Sequence, residues 1–298
     1  MTFDYGSVLT RSLQITWKHK SYWLFSIVPM LVSFAGFFFF IAPVFFLEED
    51  SSLMGLVIAV WLAGLAFFFI ANFVLGTAGS ASLTLGIIRV ERGGGSTAFM
   101  DLLRDGFPYF WRSLGVIVLV QMTFGLVISA FFLAAFLLIL VTIGMASICL
   151  QPVILLMTPL SFLVIAVMDG ALAAVSGEDL GAVDAVKRSL QVVRAHFWKF
   201  VILALIVYFG ASAVSSVIVF PAMLPAMAFP IMIETGVEMS GEIIALTALL
   251  FACLFFPLLA LLSGVTGTFA TAVLQLSYLR LSGADAQAEP AGMDAPSR

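Results

Sequence analysis

Six long apolar runs set the pattern of this chain. They cover residues 22–47, 53–76, 113–143, 148–168, 200–220 and 243–267. A run of about 20 apolar residues is long enough to cross the hydrocarbon of a bilayer as a helix. The second, fourth and sixth runs are expected to continue as helix beyond the lipid, toward Arg89, Ala174 and Leu281. None shows the sustained two-residue alternation that a membrane-spanning barrel requires. The pattern therefore predicts an all-α polytopic membrane protein with six transmembrane helices.

The polar stretches between these runs carry a helical period. Val186, Leu190, Val193 and Phe197 fall on one face, with Lys187, Arg188, Gln191 and Arg194 opposite. Phe99, Leu103 and Phe110 stand against Asp101, Arg104 and Asp105 in the same way. So do Leu9, Leu13 and Trp17 against Arg11, Gln14 and Lys18. Each stretch ends in aromatic residues, as headgroup-level anchors do. These segments are expected to be amphipathic helices lying on the membrane face, each turning into a span at its aromatic end.

Two of them share wording. RSLQITWKHKSYW begins at Arg11 and RSLQVVRAHFW begins at Arg188, 177 residues later (188−11). The anchors Trp23, Trp111 and Trp198 are spaced by 88 and 87 residues (111−23 and 198−111). The chain thus reads as three parallel repeats over about 1–93, 94–177 and 178–282. Each holds a surface helix, an outward span, a short turn and a long returning span that stops at Gly93, Gly177 or Gly283. Residues 1–282 form one membrane domain, and the Ala-, Gly-, Pro- and Asp-containing tail 283–298 is expected to be disordered.

Composition places the fold in lipid. The chain is 62% hydrophobic and 10% charged, with a mean hydropathy of +1.17, where a soluble domain carries about 25% charged residues. No removable signal peptide is expected, because the first apolar run far exceeds a signal core of about 7–15 residues. All 13 Lys and Arg residues fall before span one, between spans two and three, between four and five, or after span six. The opposite connections hold Glu48, Glu49, Asp50, Glu234, Glu238 and Glu242. Since short basic loops stay cytoplasmic, both termini are expected inside. Arg11, Lys18, Lys20, Arg104, Arg112, Lys187, Arg188, Arg194 and Lys199 then form a surface for anionic lipid headgroups or a membrane-protein partner. Nucleic acid is not an expected partner.

Candidate chemistry is sparse. Asp169 lies in span four, about 12 Å from Gly177 along a helix, and intramembrane carboxylates raise a functional hypothesis by default. With Gln275, at the matching position of the third unit, it could line an ion or proton pathway. Alternatively it sits at the inner interface and pairs with Arg104 or Arg194. His19 and His196 each stand eight residues beyond the Arg of the shared phrase and suit interfacial packing or pH sensing. Residues 76–82 (Gly, Thr, Ala, Gly, Ser, Ala, Ser), echoed by Gly264, Thr266, Gly267 and Thr268, predict packing seams between the returning spans. Met223, Met227, Met232 and Met239 cluster among Pro221, Pro225 and Pro230, where the helix is expected to kink or re-enter. Cys149 and Cys253 read as buried structural thiols. No phosphate-loop, zincin or nucleophile-elbow pattern occurs, so no enzyme activity, cofactor or metal is expected.

The opening Phe3-Asp4-Tyr5-Gly6, the run from Thr16 to Phe25 and Arg188-Ser189-Leu190 leading into Phe197-Trp198 resemble a group of bacterial six-span membrane proteins. These are similar to the membrane domain attached to some glycerophosphodiester phosphodiesterases. The resemblance implies the architecture and a bacterial inner-membrane location. It transfers no active-site residue, because the catalytic groups of such enzymes belong to a separate soluble domain. The expected function is a non-catalytic membrane protein that binds or organises a lipid or partner. The alternative is a transporter or channel using Asp169 and Gln275.

Overall fold

The computed structural model describes residues 3–41, 54–94, 98–142, 145–234 and 241–283. Among these there are nine α-helices and no strand. They are α1 (Tyr5–Lys18), α2 (Trp23–Ile41), α3 (Met54–Glu91), α4 (Phe99–Gly106) and α5 (Phe110–Val141), followed by α6 (Ala146–Gly177), α7 (Ala182–Ala195), α8 (Phe197–Glu234) and α9 (Gly241–Ser282). Single 3₁₀ turns at Lys20–Tyr22 and Phe107–Tyr109 lead into α2 and α5. Six helices are long and apolar enough to cross a membrane, which is the make-up of a multi-pass membrane protein. The acidic connection at 48–50, together with Glu238, Met239 and the tail 284–298, lies outside the described residues.

The returning helices α3 and α9 have 38 and 42 residues, or about 57 and 63 Å at 1.5 Å per residue. Both exceed a hydrocarbon layer of about 30 Å. Their C-terminal thirds, with that of α6, form the centre of a packed core holding Ile87, Leu172, Leu274, Leu276 and Leu279. Short helices brace this core from outside. α1 packs on α9, α4 on α3 and α7 on α6. The outward helices follow the same order: α2 lies against α9 as well as α3, α5 against α3 and α6, and α8 against α6 and α9.

Local chemistry explains where the helices stop. α1 starts at Asp4, whose carboxylate accepts the Ser7 N–H at 3.2 Å. α3 ends with Gly94 N–H donating to Arg89 O at 3.0 Å and Gly93 at φ +74°. That is a left-handed cap, which a residue lacking Cβ adopts without strain. α6, which ends at Gly177, is capped differently. Gly177 is still helical, and Asp179 takes the left-handed conformation (φ 54°) while Leu180 N–H reaches Ala174 O. Asp tolerates that region because its short polar side chain bonds locally. The backbone of α8 runs as helix through Pro221, Pro225 and Pro230 to Glu234, so the re-entrant turn allowed for there does not form. Neighbouring helices re-satisfy carbonyls freed by proline in apolar surroundings. The side chains of Met227 and Met232 lie outside the described ones, and so do those of Cys149 and Cys253.

The faces predicted for the three short stretches are buried only in part: Val193 and Phe110 are buried, and Leu9, Phe99, Leu103 and Val186 pack partly buried against the core. α1 buries Val8, Ser12, Ile15 and Thr16, α4 buries Leu102 and Gly106, and α7 buries Ala185, Ser189, Val192 and Val193. Leu13, Trp17, Leu190 and Phe197 are exposed. Each helix is turned about one residue, or about 100°, from the stripe of large apolar residues. Small residues make closer contact with the core. A Cβ on Gly106 would lie 2.5 Å from Ser82 Oγ, and one on Gly170 would lie 2.5 Å from Ser189 Oγ. Leu13, Trp17 and Leu190 are left for the outer surface.

The glycine seams also serve a different contact from the one expected. At Gly79, Gly264, Gly267 and Thr268 they seat the outward helix α2. A Cβ on Gly79 would stand 2.8 Å from the Phe25 carbonyl oxygen, and one on Gly264 would stand 2.7 Å from Ile27. Thr268 Oγ1 donates to Tyr22 O at 3.3 Å. Pro29 inside α2 has no N–H to offer the Phe25 carbonyl. The chain brings its barest surface to that oxygen.

Candidate functional site

The charged residues gather where the short helices brace the core. Glu91, at the end of α3, accepts Arg11 Nε at 2.9 Å and faces Arg280 Nη2 at 3.8 Å. Glu178, just past α6, accepts the Tyr278 hydroxyl at 2.9 Å and faces Arg188 Nε at 3.7 Å. Arg89 pairs with Asp105 at 2.8 Å, and Arg112 with Asp179. Arg92 Nη2 donates to Gly177 O at 3.1 Å, tying the end of α3 to that of α6. The shared phrase thus has a structural reading. In both copies the Arg grips a glutamate at the end of a returning helix, and the Ser is fully buried.

Of the basic residues singled out by sequence, Arg11, Arg112 and Arg188 are therefore held in ion pairs, and Lys199 lies over the Phe3 ring at 5.7 Å. Lys18, Lys20, Arg104, Lys187 and Arg194 have no ion-pair partner among the described residues. Trp111 and Trp198 are 72% exposed. Trp23 differs from them: it is half-buried, its Nε1 donates to Thr16 O at 3.0 Å, and its ring meets Trp17 edge-on. Trp17, 53% exposed, presents the open ring at that entry. The Thr16 carbonyl at the end of α1 claims the indole of Trp23, a contact that spacing between tryptophans does not encode.

Beside Trp17 lies an open cavity of about 710 Å³. Arg11, Gln14, Lys18 and His19 supply its polar lining, and Leu13, Ile15, Trp17 and Val90 its apolar wall. The His19 ring stacks on Tyr22 at 5.3 Å. Burial, then the Lys18 charge, then that of Arg11 hold its imidazole below the ordinary value. A second, mostly apolar groove of about 900 Å³ opens between α2, α3 and α5, where Asn72 donates to Ser33 Oγ.

Asp169 and Gln275 are both buried, at 6% and 0% exposure. Gln275 Nε2 donates to Thr84 Oγ1 at 2.7 Å, joining α9 to α3. Its Oε1 has no hydrogen-bond partner among the described residues. Asp169 pairs with neither Arg104 nor Arg194, and among the described residues it makes no hydrogen bond or ion pair, with Gln275 or any other group. Both cations belong to short helices whose polar sides turn outward, away from the α6 core. Among the described residues no group of three or more His, Cys, Asp or Glu side chains is arranged to hold a metal ion. No protein-family model, curated protein or solved structure matches the chain.

Proposed function

We propose that this chain is a non-catalytic membrane protein whose basic end binds anionic lipid headgroups and so organises lipid or a membrane partner at the inner leaflet of a bacterial cell membrane. Both termini are cytoplasmic in this reading. The observation that carries it is the set of cations without an ion-pair partner among the described residues, Lys18, Lys20, Arg104, Lys187 and Arg194, on the same end of the bundle as the exposed rings of Trp17, Trp111 and Trp198. Each near-surface cation contributes about 1 kcal/mol toward an anionic leaflet. Exposed indoles favour the headgroup level. The large apolar side chains on the outer faces of the short helices fit shallow immersion in the same layer.

The architecture proposed with it is three like units closed in a ring, similar in plan to the membrane domain of glycerophosphodiester phosphodiesterases. In support, each short helix packs on the returning helix of the preceding unit, and the first packs on that of the third. The outward helices repeat that order.

The test uses the double variant Lys187→Glu with Arg194→Glu, which spares the ion-paired Arg188. Protein extracted from nanodiscs of mixed phosphatidylglycerol and phosphatidylcholine is analysed by native mass spectrometry. The native chain is expected to retain phosphatidylglycerol preferentially, and the variant to lose much of that preference. Equal retention of both lipids by the native chain overturns the reading.

A polar transport pathway is the second reading. It is favoured by Asp169, a carboxylate without a hydrogen bond or ion pair among the described residues. Asp169→Asn should then abolish a proton or cation flux measured in proteoliposomes. An unchanged flux removes Asp169 from that role.

A further inference from the structure

Lys18 closes the last turn of α1, and Trp17 beside it is exposed. We propose that the cavity between them and Arg11 is a discrete binding site for one phosphate-ester anion, supplied by the headgroup of an anionic phospholipid whose acyl chains lie along Leu13 and Trp17. The inference rests on the lipid-binding reading above and deepens it, replacing a diffuse basic face with a defined seat at one of the three entries.

The lining matches that ligand on three counts. Its charge is positive: Lys18 has no ion-pair partner among the described residues, and Glu91 is shared between Arg11 and Arg280, so the trio keeps a net positive charge. Its hydrogen-bonding capacity suits phosphate oxygens. Arg11 commits its Nε to Glu91, and its terminal nitrogens, without a hydrogen-bond partner among the described residues, face an anion beside Lys18 Nζ and the Gln14 amide. Its wall is amphipathic, with Leu13 and Trp17 exposed on the outer side of α1. A free phosphate ester would use the first two features only.

His19 is a built-in reporter. It faces Lys18 and Arg11 on α1, the stacked Tyr22 ring, and, through Arg11, Glu91 of α3 and Arg280 of α9. The two cations depress its protonation, and an anion seated between them reverses that effect. The chain has only two histidines. His196, bonded through Nδ1 to its own Val192 carbonyl at 3.3 Å, does not line this cavity and serves as the control.

The experiment titrates ¹⁵N-labelled histidine by NMR in the full chain, held in nanodiscs of phosphatidylcholine alone or with added phosphatidylglycerol. A His196→Gln variant assigns the two signals. Phosphatidylglycerol is expected to raise the His19 midpoint by about one pH unit more than it moves His196. Lys18→Gln, at an exposed position, should shrink that excess, read as the difference between the two lipid compositions within the variant. Glycerol 3-phosphate added to phosphatidylcholine nanodiscs should leave His19 unmoved. Equal displacement of both histidines overturns the site and leaves the basic end as a diffuse lipid surface. Displacement of neither overturns the lipid-binding reading itself. A full response to glycerol 3-phosphate assigns the site to a soluble phosphate ester and overturns the lipid source.

Discussion

The two ends of the helical bundle are built on different principles. At the basic end, Tyr22, Phe200, Leu203, Leu274 and Tyr278 are buried to 1% or less, and ion pairs join neighbouring elements. Toward the other end, Phe69, Leu126, Val141 and Val217 are each at least 75% exposed. The first end is packed against protein as a soluble core is, with helices that project past the hydrocarbon. The second presents its side chains to lipid, where burial against another helix brings little hydrophobic gain because acyl chains are as apolar as leucine. Specificity of fold should therefore reside in the basic end, and substitutions should sort by which end they touch.

The largest contrast is between glycines. Gly79→Ala forces a methyl group to within 2.8 Å of the Phe25 backbone oxygen, which no side-chain rotation relieves. Overpacking of this kind costs about 1–3 kcal/mol, seen as a lowered thermal unfolding midpoint in nanodiscs. Gly125→Ala, where a Cβ meets nothing within 4 Å, should be neutral or stabilising by up to about 1 kcal/mol through helix propensity. Equal destabilisation by both would remove the distinction between the two ends.

Next come the ion pairs. Glu91→Gln leaves Arg11 and Arg280 facing each other without their shared carboxylate, at side chains 40% and 31% exposed. Solvent screening limits the cost to about 1 kcal/mol. Glu178→Gln should cost less, about 0.5 kcal/mol, since a glutamine oxygen still accepts the Tyr278 hydroxyl and Arg188 stands farther off at 3.7 Å. Unfolding midpoints of the two variants in the same lipid rank them directly.

The shared Arg-Ser-Leu-Gln phrase gives a finer comparison within the packed end. Ser189 Oγ donates to Val167 O at 2.8 Å, whereas Ser12 Oγ is buried without a hydrogen-bond partner among the described residues. Ser189→Ala should cost about 1 kcal/mol, the net worth of one hydrogen bond. Ser12→Ala removes an unpaired hydroxyl and should be neutral or slightly stabilising. Opposite ranking in thermal unfolding would show that the two copies are seated differently from this description.

The division of the molecule into two ends was only half legible in the amino-acid sequence. Length and hydropathy suffice for six membrane-crossing helices, because the requirement to span hydrocarbon acts on every residue of a run. The faces of α1, α4 and α7 were legible only in part, since Val193 is buried and Leu9, Phe99, Leu103 and Val186 pack against the core. Helical amphipathicity assumes that large apolar residues turn inward. Here Ile15, Leu102 and Val193 do so, but the small residues Ser12, Gly106 and Ser189 join them for close approach, and Leu13 and Leu190 turn outward. The glycine run 76–82 was recognisable as a seam, but its partner depends on Pro29, 50 residues before Gly79 (79−29), freeing one carbonyl. The basic cluster could be read from charge sorting. The cavity at α1 could not, since it exists only where the His19 ring, the Lys18 terminus and Val90 of α3 meet.

The smallest predicted effect concerns pH, and it is confined to the packed end. His19 is held below its ordinary value of 6.5 by burial and by Lys18 and Arg11. The unfolded chain therefore binds this proton more readily than the folded one. The stability tied to His19 is fully present above pH 6.5 and is lost as pH falls through that value toward the folded-state one. In nanodiscs of phosphatidylcholine, acidification across this window should lower the unfolding midpoint of the native chain slightly more than that of His19→Gln. The carboxylates titrate in both proteins, so the difference between the two curves isolates the imidazole. An anion seated beside Lys18 and Arg11 would offset their repulsion of the imidazolium, so adding phosphatidylglycerol should narrow the gap. A gap of the same size in both lipids would mean that His19 feels the protein's own charges alone, with no headgroup in the cavity beside it.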